Sequence, residues 1–360
     1  MKMCDCLRAK SDANKICTDD ALSRRETAMI QGVAAFLMVW HHLFGFPERI
    51  GYDYVLVLDS VAHIETLLSY FGRICIAMFA FCSGYGMQKN RLILTKPGDG
   101  NLRGNYRKVF SRLLKFYWRY WVVYLVFVPL GMLLGVYRWD TLRFVKGILG
   151  LNSVYNAEWW YVGYYIRIML LLPLICWVGD YIAVKLSKTV HAGMLLVTVA
   201  VLLLKMIAGA EFLRNLLYFT EGMVIAQSRL IERICVRISN ATDRFCTGLA
   251  LLATAFLMRT VGIDDCFIVP ELILGIVLLI KSMWLPTIAK RLLEILGKYA
   301  TYIWLLHTFF AYYYFQKFVY CMKYSWLIAV WCIILCILCG MILEKSIDVL
   351  RKRTSIVCKG

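Results

Sequence analysis

Stretches of apolar residues close to the length of a membrane-spanning helix recur along this 360-residue chain. A helix needs about 20 apolar residues to cross the hydrocarbon core, because each residue advances it by about 1.5 Å. The chain is 61% apolar, above the share in ordinary soluble domains. We therefore predict an all-α, polytopic membrane protein with about ten transmembrane helices. The predicted spans cover residues 28–45, 70–87, 117–136, 159–178, 189–208, 212–228, 245–261, 267–280, 299–316 and 326–344.

Basic residues are distributed unevenly between the alternating loops that these spans define. With the N-terminus inside, 29 of the 41 Lys and Arg residues fall in cytoplasmic segments. The positive-inside rule associates this asymmetry with an even number of spans and with both termini in the cytoplasm. The net charge of +18 is then mostly a consequence of topology, and no nucleic-acid partner is needed to explain it. Basic inner loops also favour contact with anionic membrane lipids.

One membrane domain is expected at residues 28–345, between a cytoplasmic N-terminal tail at 1–27 and a basic cytoplasmic tail at 346–360. The first twenty residues lack the apolar core of a cleavable signal, so we expect the first span to direct insertion. Residues 96–101 combine Pro, Gly and Asp and predict a turn in the longest inner loop.

The fourteen cysteines do not follow a disulfide pattern. Most lie in apolar spans or in cytoplasmic segments, where thiols stay reduced. Cys4, Cys6 and Cys17 could together bind a metal, but no matching set of His or Cys follows. We expect no metal.

Two adjacent histidines, His41 and His42, stand near the end of the first predicted span. A titratable ring is costly in hydrocarbon, so such residues usually face a protein-lined cavity and serve a function there. Imidazole also transfers protons near neutral pH. Gln31 precedes His42 by eleven positions, which is three helical turns plus roughly 20°, or about 16 Å along one face. His41 points about 100° away, and a structural hydrogen bond is the alternative role for either ring.

Polar residues of the second and third spans could contribute to the same site. Ser83 and Tyr85 carry hydroxyl groups on either side of Gly84, where a small residue also allows close helix packing. Arg112 and Lys115 are three positions apart and share a helix face. They could hold one anionic group at the cytoplasmic interface, or serve as ordinary positive-inside anchors.

The fourth and ninth spans add four further candidates. Glu158, Trp159 and Tyr161 stand at the outer start of the fourth span, on the same side of the membrane as His42. The carboxylate of Glu158 could orient or charge-stabilise an imidazole, or bind a sugar hydroxyl, whereas interfacial Trp residues often only anchor a helix. His307 is surrounded by apolar residues, where a structural hydrogen bond and a site role are both open.

Taken in order, these motifs resemble those of the acyltransferase family 3 integral membrane proteins. In that family a basic residue of the first span precedes the catalytic His by eleven positions, which corresponds to Gln31 and His42. Gln31 departs from the pattern because an amide carries no charge; Arg24 and Arg25 lie nearby and could substitute. The resemblance extends over residues 24–345. It continues through Ser83-Gly84-Tyr85, Arg112-x-x-Lys115, the Trp-rich start of the fourth span, and residues 296–307.

The resemblance implies transfer of an acyl group, most simply acetyl, from a coenzyme A thioester to a hydroxyl of a cell-surface or lipid-linked carbohydrate. Neutral His42 would act as general base or as acyl relay, in the plasma membrane of a bacterium. The implied site residues are His42, His41 and Glu158 for catalysis; Gln31, Ser83, Tyr85, Arg112 and Lys115 for the acyl-coenzyme A donor; and Trp159, Tyr161 and His307 for the acceptor.

Two other functions are compatible with intramembrane His and Arg. A proton-coupled transporter or flippase of an anionic or sugar-containing substrate would also use such residues. The absence of a recognisable internal repeat and the ordered motifs count against it. A non-catalytic membrane partner or sensor would leave His42 without chemistry.

Overall fold

The computed structural model describes residues 22–94, 102–186 and 190–357, and helices dominate these ranges. Cys4, Cys6, Cys17 and the predicted turn at 96–101 lie outside the described residues. The α-helices are α1 Arg24–Phe44, α2 Ile64–Phe71, α3 Cys75–Leu94, α4 Leu102–Leu133, α5 Thr141–Ile148, α6 Trp160–Lys185, α7 Val190–Ala208, α8 Glu211–Ser228, α9 Leu230–Arg237, α10 Ala241–Thr260, α11 Asp265–Lys281, α12 Thr287–Thr308, α13 Gln316–Tyr320 and α14 Ser325–Val357. Two short 3₁₀ turns, Pro47–Arg49 and Ala157–Trp159, and a π-helical segment, Phe309–Tyr313, bear on the site described below.

The structure confirms the all-helical prediction and contains several helices suited to a membrane. Six helical segments within the described ranges are long and apolar enough to cross it: Arg24–Phe44, Ile64–Asn90, Gly104–Leu133, Ala157–Lys185, Ala241–Thr260 and Ser325–Asp348. The second of these runs from α2 through a short 3₁₀ turn into α3. A helix also overlaps each of the other four predicted spans. Among these, α11 has 17 residues and α12 contains several charges in its first half. Ten crossings and cytoplasmic termini therefore stay predictions.

The chain divides into two compact units. Of the described residues, the first unit comprises 22–32, 76–94, 178–186 and 190–297, and the second comprises 33–75, 102–177 and 298–357. Each unit is thus assembled from segments distant in sequence. The helix α14 of the second unit extends into the predicted basic tail as far as Val357.

Glycines bring helices of the first unit into backbone contact. A side chain at Gly84 of α3 would collide with the carbonyl of Phe219 in α8, and one at Gly222 of α8 would collide with that of Phe81. The helices can approach this closely because both crossing positions lack a Cβ atom. The packing role of Gly84 considered from the sequence is therefore present in the structure.

In the second unit, aromatic side chains of α4 hold the short helix α5 by its last carbonyl groups. The hydroxyl of Tyr120 donates to the Gly147 carbonyl at 2.6 Å, and the indole of Trp121 donates to that of Ile148 at 2.9 Å. The last carbonyls of a helix have no intrahelical partner, so the Trp121 indole satisfies one that would otherwise need water, while the Gly147 carbonyl also accepts from the Gly150 amide at 2.8 Å. Further along the unit, Arg119 of α4 binds both carboxylate oxygens of Glu344 in α14, at 3.1 and 3.0 Å.

Candidate active site

His42 lies in the last turn of α1 and is 8% exposed. Its Nε2 is 3.6 Å from Oε2 of Glu158, while its Nδ1 is buried without a hydrogen-bond partner. The hydroxyl of Tyr312, in the π-helical segment, donates to the His42 backbone carbonyl. The second unit therefore holds an imidazole with one nitrogen against a carboxylate.

The backbone around Glu158 is fixed by hydrogen bonds from two directions. Asn156 caps the 3₁₀ turn, because its Oδ1 accepts from the Glu158 amide at 3.1 Å. Nδ2 of the same Asn156 side chain donates to Oγ1 of Thr308 at 2.7 Å. The indole of Trp304 donates to the Glu158 carbonyl at 3.2 Å. Groups held in this way keep a fixed geometry during a reaction.

Arg49 completes the polar part of the site, and sequence reasoning did not select it. Its Nη1 is 3.2 Å from Oε1 of Glu158, and its guanidinium lies 4.1 Å from the ring centroid of Phe46. The side chain of Arg49 is 42% exposed, against 15% for Glu158 and 10% for His42. Arg49 is thus the most exposed member of the cluster. The available signal was a single Arg placed just after the first span, in a loop that is predicted to lie outside and has few basic residues.

His41 and His42 have different surroundings, as the helical phase predicts. The Nδ1 of His41 donates to the Ser69 carbonyl of α2 at 2.7 Å. A side chain at Gly72 would collide with the Leu37 carbonyl and press against Cβ of His41. This contact joins α1 to the segment that follows α2. The ring of His41 also lies 5.0 Å from that of His42, centroid to centroid, and its role in the site stays a prediction.

His307, at the end of α12, lies beside His42. The two ring centroids are 4.9 Å apart. Nδ1 of His307 lies 3.0 Å from the Ile303 carbonyl oxygen and 2.9 Å from that of Trp304, and its Nε2 is buried without a partner. No local sequence pattern pairs these rings, because they are 265 positions apart.

Trp159 and Tyr161 are packed inside the second unit. Trp159 is 2% exposed, and its indole donates to the Leu305 carbonyl at 3.2 Å. Tyr161 is 9% exposed, with its ring centroid 5.8 Å from that of Trp304. Both residues therefore support the segment that carries Glu158 and the end of α12.

The residues predicted to bind the donor are distributed over both units. In the first unit, Tyr85 is buried and donates to Glu232 at 3.3 Å, while Gln31 and Ser83 are half-buried. In the second unit, Arg112 is half-buried and Lys115 is exposed on α4. Arg25, one of the two residues that could replace the charge missing at Gln31, has its Nε 2.8 Å from Oε2 of Glu294. Its charge is therefore already paired.

The arrangement around His42 suits proton transfer. A neutral imidazole accepts a proton through whichever nitrogen carries none, and an adjacent carboxylate stabilises the imidazolium that results. Among the described residues, no group of three or more His, Cys, Asp or Glu side chains could hold a metal ion.

A family model described as an acyltransferase domain matches residues 29–345 of this chain. The chain belongs to acyltransferase family 3. Comparison with curated proteins and with solved structures gave no significant match. The region matched by the acyltransferase model contains every candidate site residue, from Gln31 in α1 to His307 in α12.

Proposed function

We propose that this acyltransferase moves an acyl group, most simply acetyl, from a coenzyme A thioester to a hydroxyl of a cell-surface or lipid-linked carbohydrate. The reaction would take place in the plasma membrane of a bacterium. The observation that carries the proposal is the 3.6 Å approach of His42 Nε2 to the Glu158 carboxylate. Membership of an acyltransferase family supports the reaction class.

In the proposed reaction His42 is the general base. The acceptor hydroxyl gives its proton to the neutral imidazole while its oxygen attacks the thioester carbonyl carbon. The tetrahedral intermediate then breaks its carbon–sulfur bond, and the imidazolium returns the proton to the departing thiolate. The products are an ester and free coenzyme A, and His42 ends as it began.

Glu158 would stabilise the charge that appears on His42 during this reaction. The imidazole is neutral before proton transfer and cationic after it, so the carboxylate interacts more strongly with the transition state than with the ground state. Arg49, 3.2 Å from the other carboxylate oxygen, would favour the ionised form of Glu158.

Aromatic side chains around the imidazole support a carbohydrate acceptor. The rings of Phe46 and Tyr312 have centroids 5.9 and 6.3 Å from that of His42. Binding sites for small molecules usually combine such apolar walls with a few directed polar groups, which His42, Glu158 and Arg49 would supply.

Turnover of acetyl-coenzyme A by the purified protein tests this function. We expect carbohydrate acceptors to stimulate thiol release and labelled acetyl groups to appear on the acceptor as base-labile esters. The test uses the full chain in detergent, with acceptors ranging from soluble glycosides to lipid-linked sugars. Failure to bind acyl-coenzyme A, together with no turnover on any acceptor, would contradict the proposal.

Replacing Glu158 by Gln is expected to lower kcat by on the order of a hundredfold. The amide has the shape of the carboxylate but cannot stabilise an imidazolium by charge. Steady-state kinetics of thiol release measure the effect. Glu48→Gln removes an exposed carboxylate from the neighbouring loop and should leave kcat unchanged. Similar kcat values for Glu158→Gln and the wild type would remove Glu158 from the mechanism.

Replacing Arg112 or Lys115 by Gln is expected to raise the KM for acyl-coenzyme A about tenfold or more, because charge-assisted hydrogen bonds to phosphate contribute about 1.5–3 kcal/mol. Comparing coenzyme A with its 3′-dephospho form locates the contact. A variant that has lost the contact with the 3′-phosphate should no longer distinguish the two donors. Arg143→Gln, in α5, removes an exposed charge as a control. An unchanged KM in both variants would show that Arg112 and Lys115 do not bind the donor and would favour their alternative role as membrane anchors.

A further inference from the structure

Two neighbouring buried ring nitrogens of the second unit have no hydrogen-bond partner. They are Nδ1 of His42 and Nε2 of His307, on rings whose centroids are 4.9 Å apart and whose planes are inclined by 45°. Buried polar atoms in folded proteins are nearly always paired, so each exception needs an explanation. Here two exceptions occur on adjacent side chains.

The hydrogen bonds of His307 determine which of its nitrogens carries the proton. Its Nδ1 lies 3.0 and 2.9 Å from the carbonyl oxygens of Ile303 and Trp304. Carbonyl oxygens only accept hydrogen bonds, so Nδ1 is protonated. The neutral ring then has a lone pair on Nε2 and is an acceptor toward its surroundings.

A proton on Nδ1 of His42 would satisfy both unpaired atoms with a single hydrogen bond. Rings with centroids 4.9 Å apart can bring two facing nitrogens to about 3 Å, a normal hydrogen-bond distance. Because its Nδ1 contacts hold the His307 ring, rotation of the His42 ring would supply the approach. The other neutral tautomer of His42 would place its proton on Nε2, 3.6 Å from the Glu158 carboxylate, and would leave two lone pairs buried side by side with no proton between them.

We propose that His307 is a positioning residue that holds His42 in its Nδ1–H tautomer. The lone pair of His42 is then on Nε2, the nitrogen that faces Glu158, whose other carboxylate oxygen lies 3.2 Å from the partly exposed Arg49. A base must reach its substrate through the nitrogen without a proton. The proposed hydrogen-bond chain runs from the backbone carbonyls of α12 through His307 to His42. Its consequence for catalysis rests on the proposed function.

The ring of His41 also lies near that of His42, with centroids 5.0 Å apart, but Nε2 of His41 is not among the buried nitrogens that lack a partner, as Nε2 of His307 is. Nδ1 of His41 already donates to the Ser69 carbonyl at 2.7 Å. The rings of His42 and His307 also differ in how they bond to the backbone of their own helices. Nδ1 of His307 donates to the carbonyl four residues earlier, whereas Nδ1 of His42 makes no such bond. The backbone of α1 therefore supplies no partner for Nδ1 of His42.

Nitrogen NMR of the full chain, labelled with ¹⁵N-histidine, tests the tautomer directly. The His42 signals are assigned by their loss in His42→Gln. At neutral pH we expect a protonated Nδ1 and an unprotonated Nε2. His307→Leu should abolish this preference, whereas His307→Gln should retain it because Oε1 of Gln can accept in place of Nε2. An Nε2–H tautomer of His42 in the wild type would overturn the proposal. So would an unchanged Nδ1–H preference in His307→Leu.

Kinetics give a second, independent readout. We expect His307→Leu to lower kcat about a hundredfold with little change in the KM for acyl-coenzyme A, since a wrong tautomer removes the base. His307→Gln should recover to within about tenfold of the wild type. His63→Gln alters an exposed histidine and should have no effect. Wild-type kcat in His307→Leu would overturn the role of His307. Absence of acyl transfer in the wild type, with the expected tautomer present, would instead count against the proposed function alone.

Discussion

His42→Gln is expected to reduce acyl transfer by about a hundred- to ten-thousand-fold, the usual contribution of a positioned general base. Glutamine approximates the size of the ring and can form hydrogen bonds, but its amide does not accept a proton near neutral pH. The loss should appear in kcat, with the KM for acyl-coenzyme A little changed. Thiol release and transfer of labelled acetyl to a carbohydrate acceptor measure it.

The matched variant is His41→Gln, which alters the adjacent ring of the same helix. Because Nδ1 of His41 donates to a backbone carbonyl of α2, we expect a lower unfolding temperature and a retained fraction of activity. Complete loss of turnover in folded His41→Gln, with activity in His42→Gln, would reverse the assignment. Equal activity in His42→Gln and the wild type would remove His42 from the chemistry while leaving the reaction class intact.

Gly84→Ala is expected to destabilise the protein by about 1–3 kcal/mol, the usual cost of overpacking. The added Cβ would collide with the backbone carbonyl of Phe219 in α8. Backbone atoms cannot move aside as a flexible side chain can, so α3 and α8 must separate. Thermal unfolding of the purified protein in detergent measures the change.

Gly86 provides the control on the same helix, two positions away. A Cβ atom there would meet nothing within 4 Å. Alanine has a higher helix propensity than glycine, so Gly86→Ala should be neutral or slightly stabilising. If both variants unfold at the wild-type temperature, the close packing of α3 on α8 does not limit stability.

The sequence predicted individual helices and faces more successfully than contacts between them. Apolar length located the helices, and the 3.6-residue period separated His42 from His41, because both depend on local geometry. Glu158 was selected from topology alone, and it lies 3.6 Å from His42; its role stays a prediction. Arg49 was missed because its position depends on the short turn after α1, which apolar periodicity does not describe.

Other features of the site depend on tertiary packing that no local pattern encodes. The neighbouring rings of His42 and His307 follow from the rotation of α12 relative to α1 within the second unit. The burial of Trp159, which an interfacial anchor would not require, follows from its hydrogen bond to the Leu305 carbonyl. Helix packing of this kind is determined by side-chain shape at the contact.

The π-helical segment Phe309–Tyr313 has a consequence for how this family can vary by insertion and deletion. A π-helical turn contains one residue more than the α-helical turn it replaces. Deleting Ala311 would turn the following residues by about 100° and carry Tyr312 away from the His42 carbonyl that it now contacts. Hydropathy and span length would hardly change. Among related chains, the number of residues here should therefore vary less than their identity.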